Sequence, residues 1–159
     1  MTRPSAGLTA LTLLALLAPL AALAKDQKLS KAQVPAAVVA AVEAKYASAK
    51  QLGWSKEVEN GKAEYEARLD SGLEVTVSPE GAILSEESPV AFAQLPAKVK
   101  AGFAASKYGK WKVRKAEKIV EGEKTSYEVA AAKGKAGAEV VFDAEGKLVK
   151  EEKTSAKGD

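Results

Sequence analysis

An internal repeat constrains this chain more than any other feature. Residues 74–87, EVTVSPEGAILSEE, align without a gap to residues 139–152, EVVFDAEGKLVKEE. Two further landmarks precede this window in both halves, an apolar residue followed by Pro and a Tyr-Glu pair. They are Val34-Pro35 and Leu95-Pro96, and Tyr65-Glu66 and Tyr127-Glu128. Because chance similarity in an Ala-, Lys- and Glu-rich chain would not keep Pro, Tyr and Gly in order, the sequence predicts two copies of one structural unit.

The first 24 residues have the layout of a secretory signal. Arg3 makes a positive end, residues 8–23 form an apolar run, and Ala22-Leu23-Ala24 supplies the small residues that a signal peptidase requires. A membrane anchor would need roughly 20 apolar residues, and Pro19 interrupts this shorter run. We therefore expect cleavage near Ala24, a periplasmic or secreted protein, and no stable membrane insertion after cleavage.

Each unit begins with a helix pattern and continues with a strand pattern. Apolar residues at helical spacing follow each Pro, and they form a stripe typical of a buried helix face. These residues are Val38, Val42 and Tyr46 in the first unit, and Val99 and Phe103 in the second. Gly102 is expected to weaken the second helix modestly. The period then changes to two, which is typical of strands with one buried face.

Turn residues divide the strand region of the first unit. Asn60-Gly61 predicts a two-residue hairpin in which Glu59 pairs with Lys62. Residues 70–72, Asp-Ser-Gly, predict a second reversal. Residues 78–81, Ser-Pro-Glu-Gly, predict a type I turn with a left-handed Gly that places Val77 opposite Ile83, and residues 143–146 repeat it with Phe142 opposite Leu148. The predicted fold is α+β, with two tandem units that each pack an N-terminal helix on a four-stranded antiparallel β-meander.

These patterns divide the chain into five segments. The predicted segments are a signal peptide at 1–24, a polar N-terminal segment at 25–33, unit 1 at 34–88, unit 2 at 89–153 and a polar tail at 154–159. Ser88-Pro89 joins the units and is too short to act as a flexible tether. We therefore expect the units to pack together, with their sheets aligned edge to edge.

Composition argues against several classes of function. The chain has no His and no Cys, so it lacks the usual general base, thiol nucleophiles and the best transition-metal ligands. We expect no catalytic residues, no cofactor and no metal site, and hence no enzyme. The 24 basic and 21 acidic residues nearly balance, which does not indicate a nucleic-acid partner.

Strand alternation places polar side chains on the sheet face that the helices leave open. The candidate residues for protein binding on this face are Glu64, Glu66, Arg68, Glu74, Lys112 and Arg114. The leading hypothesis is a non-enzymatic binding module whose partner is another exported or envelope protein. An ordinary solvated face explains the same residues. The alternatives are a sensor or carrier of a small ligand or cation held between sheet and helices, and an enzyme that uses glutamates alone.

The pattern resembles the PepSY-like family, which includes secreted proteins similar to beta-lactamase-inhibitor proteins. The matching residues are the two apolar-Pro helix starts, the Tyr-Glu strands, Val140-Val141-Phe142-Asp143 and Glu145-Gly146-Lys147-Leu148. The second unit is the closer match. The resemblance implies a tandem helix-plus-sheet architecture outside the cytoplasm and an association with restraining secreted peptidases. No inhibitory loop residue can be carried over by position.

Overall fold

The structure, a computed structural model, describes residues 27–59 and 61–155. The predicted signal peptide and its cleavage point at Ala24 lie outside the described residues. The helices are α1 (Ala36–Lys45) and α2 (Ala97–Ala105), each preceded by a short 3-10 turn. The strands are β1 (Gln27–Leu29), β2 (Gln51–Glu59), β3 (Lys62–Leu69), β4 (Glu74–Val77), β5 (Ile83–Pro89), β6 (Lys112–Glu121), β7 (Lys124–Lys133), β8 (Ala136–Asp143) and β9 (Leu148–Ser155).

All nine described strands belong to one antiparallel sheet, in which the spatial order follows the order along the chain. This architecture confirms the predicted α+β class. The sheet is continuous across the middle of the chain because β5 pairs with β6, with Ser88 opposite Lys118. The sheets of the two halves are therefore aligned edge to edge, as the short Ser88-Pro89 junction predicts.

Both ends of the sheet extend beyond the predicted boundaries. Gln27–Leu29 lie in the segment expected to be a polar end, but they pair with β2 through Leu29 and Trp54. At the other end, β9 continues to Ser155, with Ser155 opposite Ala136. Neither strand shows a clear apolar alternation in the sequence. An edge strand exposes most of its side chains to water, so its residues can be polar.

The turn chemistry of the sequence sets the register correctly. Glu59 pairs with Lys62, and Gly61 between them has φ of 78°. Val77 lies opposite Ile83, and Phe142 opposite Leu148, each next to a β-bulge that follows a left-handed Gly turn. These three predicted pairs are confirmed because short turns leave few alternative registers.

The helices cover one face of the sheet and form two hydrophobic clusters. In the first, Val38 and Val42 of α1 are fully buried against strands of the first half. In the second, Val99 and Phe103 of α2 pack on the second half, and the Phe103 ring meets the Phe142 ring edge-on at 6.4 Å. The other face of the sheet carries no helix in the part of the chain that is described.

The repeat is also visible in close backbone contacts between a turn and a helix. A Cβ placed on Gly81 would lie 2.8 Å from the carbonyl oxygen of Ala37, and one on Gly146 would lie 2.1 Å from that of Lys98. A Cβ on Gly102 would lie 2.1 Å from the Gly146 carbonyl oxygen. Gly102, which the sequence suggested only as a weak point of the helix, therefore allows α2 to approach the β8–β9 turn.

Candidate functional site: the open sheet face

We use the term open face for the side of the sheet that carries no helix. Strand alternation directs Glu57, Glu64, Glu66 and Thr76 to this face, while their neighbours Tyr65 and Val77 point to the helices. A groove of about 950 Å³ runs across the open face. Residues from β2 to β9 line this groove, so the face is concave. The groove is therefore lined by strands from both halves of the chain.

Four of the six candidate residues lie together on the open face. Glu64 and Glu66 line the groove, and Arg68 joins Glu66 to Glu74 through ion pairs of 3.7 and 2.7 Å. Arg68 therefore bridges two carboxylates of adjacent strands.

The other two candidates are placed differently. Lys112 and Arg114 lie near the start of β6, whereas the groove uses Ile119 and Glu121 at the end of that strand. Arg114 occupies the position of a β-bulge, where the register shifts between Val113 and Lys115. The structure does not bring these two cations to the groove.

Directly opposed glutamates occur in four hairpins of the sheet. The pairs are Glu57 with Glu64, Glu74 with Glu87, Glu117 with Glu128, and Glu139 with Glu152. Equivalent hairpins of the two halves carry equivalent pairs, since Glu74 and Glu87 begin and end the repeated window and Glu139 and Glu152 do the same. Like charges directly opposite one another destabilise a sheet. This unfavourable arrangement therefore recurs on the open face in both halves of the chain.

The middle of the open face concentrates these acids around one cation. We call Glu74, Glu87, Glu117, Glu128 and Glu139 the acidic cluster. Glu117 is only 4 % exposed, and its carboxylate lies 2.8 Å from the Lys115 ammonium group. One carboxylate oxygen from each of Glu74, Glu87 and Glu117 lies within 4.8 Å of the others. The trio could hold a cationic group, and Lys115 already supplies one beside it.

Burial and repulsion from neighbouring carboxylates raise the pKa of two members of the cluster, Glu87 and Glu128. Burial, followed by the charges of Glu139, Glu117 and Glu87, raises the pKa of Glu128 to about 7. Burial and the charges of Glu117 and Glu74 raise the pKa of Glu87. Burial opposes the charged form of Lys115, but its hydrogen bond to Glu117 and the charges of Glu117, Glu74 and Glu128 together outweigh burial and raise the pKa of the ammonium group. A positively charged group bound beside Glu87 and Glu128 would therefore reduce the repulsion between the carboxylates.

Apolar side chains also reach the groove. Leu84 and Val149 line it and are 38 % and 55 % exposed, while Ile119 is buried beneath. The groove therefore combines an aliphatic surface with carboxylates, an arrangement that suits a ligand with both apolar and charged groups.

Sequence reasoning missed most of the acidic cluster. Of its five members, the sequence proposed only Glu74 as a binding residue. Glu87, Glu128 and Glu139 entered only as parts of the repeat, and Glu117 not at all. Glu128 lies between Tyr127 and Val129, which pack in the core under α2, so alternation would have placed it on the open face. Glu117 follows the core residue Ala116 and could have been placed there in the same way. The pairing of β5 with β6, which brings Glu87 beside Ile119, has no such signal because these strands are not joined by a short turn.

The fold and the open face define a class, an α+β protein with two helices on one side of a long antiparallel sheet. The chain belongs to the family described as beta-lactamase-inhibitor-like, PepSY-like, whose profile matches residues 21–85 and again 83–150. Two consecutive matches agree with the internal repeat.

Solved structures share this fold. A protein described as periplasmic from Bacteroides eggerthii has 17% identity and a TM-score of 0.59, and the similarity covers 76% of this chain and 88% of that one. A BLIP-like protein from Bacteroides fragilis has 21% identity and a TM-score of 0.56, covering 77% and 88%. At these identities the likeness establishes the fold alone. No curated protein matches the chain. Among the described residues, no helix combines the length and the apolar character needed to cross a bilayer.

Proposed function

We propose that this protein is an exported, non-enzymatic binding module that recognises another protein through its open face. The observation that carries the proposal is the concave groove of about 950 Å³, which uses strands of both halves and lies opposite the helices. Interfaces between proteins combine an apolar centre with a polar rim. Leu84 and Val149 among the groove carboxylates provide both components.

The duplicated architecture supports this reading. We propose that residues 34–88 and 89–153 are two structural units, each a helix with the four strands that follow it. The separate hydrophobic clusters under α1 and α2 support the division. Two units in one sheet build a binding face wider than either could present alone.

Export is part of the proposal. The leader pattern at residues 1–24, with cleavage near Ala24, supports it, and so does the fold shared with a protein described as periplasmic. The partner is then another exported or envelope protein. Because the family is described as beta-lactamase-inhibitor-like, secreted hydrolases are the first partners to test, with inhibition as the readout.

Affinity capture with face-specific variants tests the proposal. The purified protein is used to capture partners from an envelope extract, and a recovered protein is then measured for direct binding. We expect Glu64→Ala combined with Glu66→Ala to reduce binding about tenfold, since peripheral charged contacts contribute about 0.2–1 kcal/mol each. Glu80→Ala is the matched control, because exposed Glu80 lies in the β4–β5 turn and does not line the groove.

The candidate cations are tested separately. Partner binding is measured for the double variant Lys112→Ala, Arg114→Ala. Weaker binding would show that the binding surface extends to the start of β6. Binding that is unchanged by every open-face substitution would refute recognition through this face.

A further inference from the structure

Four pairs of glutamates face each other across neighbouring strands of the open face, an arrangement that is unfavourable in a sheet. The chain carries more basic than acidic residues, 24 against 21, so the acidic face does not follow from composition. Violations of local stability rules that recur in a fold are expected at functional sites. Glu57 and Glu64, directly opposite each other, both line the groove.

The charge of the groove is markedly one-sided. Among the described residues that line it, eight are acidic and two are basic. Lys124 and Lys150 are the two basic residues. A ligand that brings positive charge would reduce the repulsion between opposed carboxylates, whereas an acidic ligand would add to it.

The apolar part of the groove restricts the kind of ligand that can bind there. Leu84 and Val149 are exposed to solvent in the free protein, so an aliphatic or aromatic side chain placed against either of them would bury apolar area on both sides. The lining runs from β2 to β9, which corresponds to roughly 30 Å of sheet at the usual spacing between strands. A small ion or amine would not occupy such a length.

We propose that the groove binds a protruding loop of a partner protein that carries lysine or arginine on both sides of an apolar side chain. The basic side chains lie against Glu57, Glu64 and Glu121, and the apolar side chain contacts Leu84. This inference rests on the proposed function, and it adds the chemistry of the partner.

A divalent cation is a weaker candidate for the same face. The trio Glu74, Glu87 and Glu117 lies on paired strands, whereas hard cations favour irregular loops that supply six or more oxygen ligands. Lys115 also places its ammonium group beside the trio and would repel a metal ion.

Cyclic hairpin peptides provide a direct test. The probe displays Lys-Leu-Lys at its tip, and analogues display Glu-Leu-Glu and Lys-Ser-Lys. We expect the Lys-Leu-Lys peptide to bind at least about tenfold more tightly than the Glu-Leu-Glu analogue. Its affinity should fall as salt is added. The Lys-Ser-Lys analogue should bind several-fold more weakly, because it loses the apolar contact.

Variants of the protein assign the binding to the groove. The triple variant Glu57→Gln, Glu64→Gln, Glu121→Gln should weaken binding of the Lys-Leu-Lys peptide about tenfold. Leu84→Ser should weaken it several-fold, and Glu80→Gln should leave it unchanged. Equal affinity for the Lys and Glu peptides, or an unaffected triple variant, would overturn the proposal. Stoichiometric Ca²⁺ binding by calorimetry that displaces the peptide would overturn it as well.

The captured partner distinguishes this inference from the proposed function. If the partner is lost in Leu84→Ser but is insensitive to salt and to the triple variant, the open face binds proteins and only the charge inference fails. If the partner is retained by all of these variants, both fail.

Discussion

The ammonium group of Lys115 lies 2.8 Å from the carboxylate of Glu117, two residues further along β6 on the open face. Glu117 is one of three buried polar or charged residues in the part of the chain that is described, with Ser55 and Ser85. A carboxylate at this depth is tolerated only with a compensating charge. Lys115 thus makes it possible for the acidic cluster to exist within a folded sheet.

Replacing Lys115 with Met should destabilise the protein. The substitution keeps the length of the side chain but leaves Glu117 without its cation, and we expect a loss of about 2 kcal/mol at pH 7, reduced from the fully buried case because Lys115 is half exposed. Urea unfolding measures the change.

Two companion variants separate charge from packing. Lys124→Met, on the groove rim, should change stability by less than about 0.5 kcal/mol. Glu117→Gln in the Lys115→Met background should recover part of the loss. A Lys115→Met protein as stable as the Lys124→Met protein would contradict the role assigned to this pair.

Stability should depend on pH through Glu128. The folded pKa of about 7 lies above the ordinary value of about 4.3, so the folded state holds this proton more tightly than the unfolded chain. The resulting stabilisation is fully present below about pH 4 and is lost as the pH rises through about 7. The raised pKa of Glu87 acts in the same direction.

Glu128→Gln should remove the part of this dependence that Glu128 contributes. We expect the variant to gain about 1 kcal/mol over the unmodified protein at pH 8, a value reduced for solvent screening, and to differ little at pH 4. Denaturant unfolding across this pH range measures the difference, and Glu123→Gln in an exposed turn is the control. Parallel pH profiles for the unmodified protein and Glu128→Gln would show the prediction to be wrong.

Gly146→Ala should be far more disruptive than Gly134→Ala. Both glycines have positive φ, 80° and 60°, so both substitutions strain the backbone by about 1 kcal/mol. Only at Gly146 would the new Cβ meet a backbone atom, at 2.1 Å from the Lys98 carbonyl oxygen. We expect Gly146→Ala to lower stability by more than about 3 kcal/mol. Similar melting temperatures for the two variants would exclude the close helix contact.

Phe142→Ala should test the second hydrophobic cluster. Phe142 is 1 % exposed and contacts the Phe103 ring, so we expect a loss of about 3–5 kcal/mol. Val149→Ala, at an exposed position on the neighbouring strand, should change stability by about 0.5 kcal/mol or less. Thermal unfolding compares them, and a small effect at Phe142 would contradict its place in the core.

The parts of the fold that depend on local chemistry could be predicted from the sequence. Gly61, Gly81 and Gly146 identify turns whose geometry specifies the pairing of the flanking strands, and the apolar stripes of the helices identify the covered face. The β1 strand could not be predicted, because three polar-flanked residues carry no alternation strong enough to recognise. Its formation depends on pairing with β2.

The candidate site was predicted only in part for a similar reason. Glu64 and Glu66 lie on one strand, β3, which recognisable turns bound at both ends, so their face follows from alternation. Glu117 lies opposite Glu128 within the β6–β7 hairpin. Their approach to Glu87 depends on the pairing of β5 with β6, a tertiary contact between segments about thirty residues apart. Burial of Glu117 beside Lys115 follows from that junction, and no local pattern encodes it.

The strictly sequential strand order has a consequence for how the chain acquires its structure. Most neighbouring strands are joined by short turns, so each new strand closes a small loop at low entropic cost. Folding can then advance hairpin by hairpin, with the β1–β2 and β5–β6 pairings as the slow steps because each encloses a whole helix.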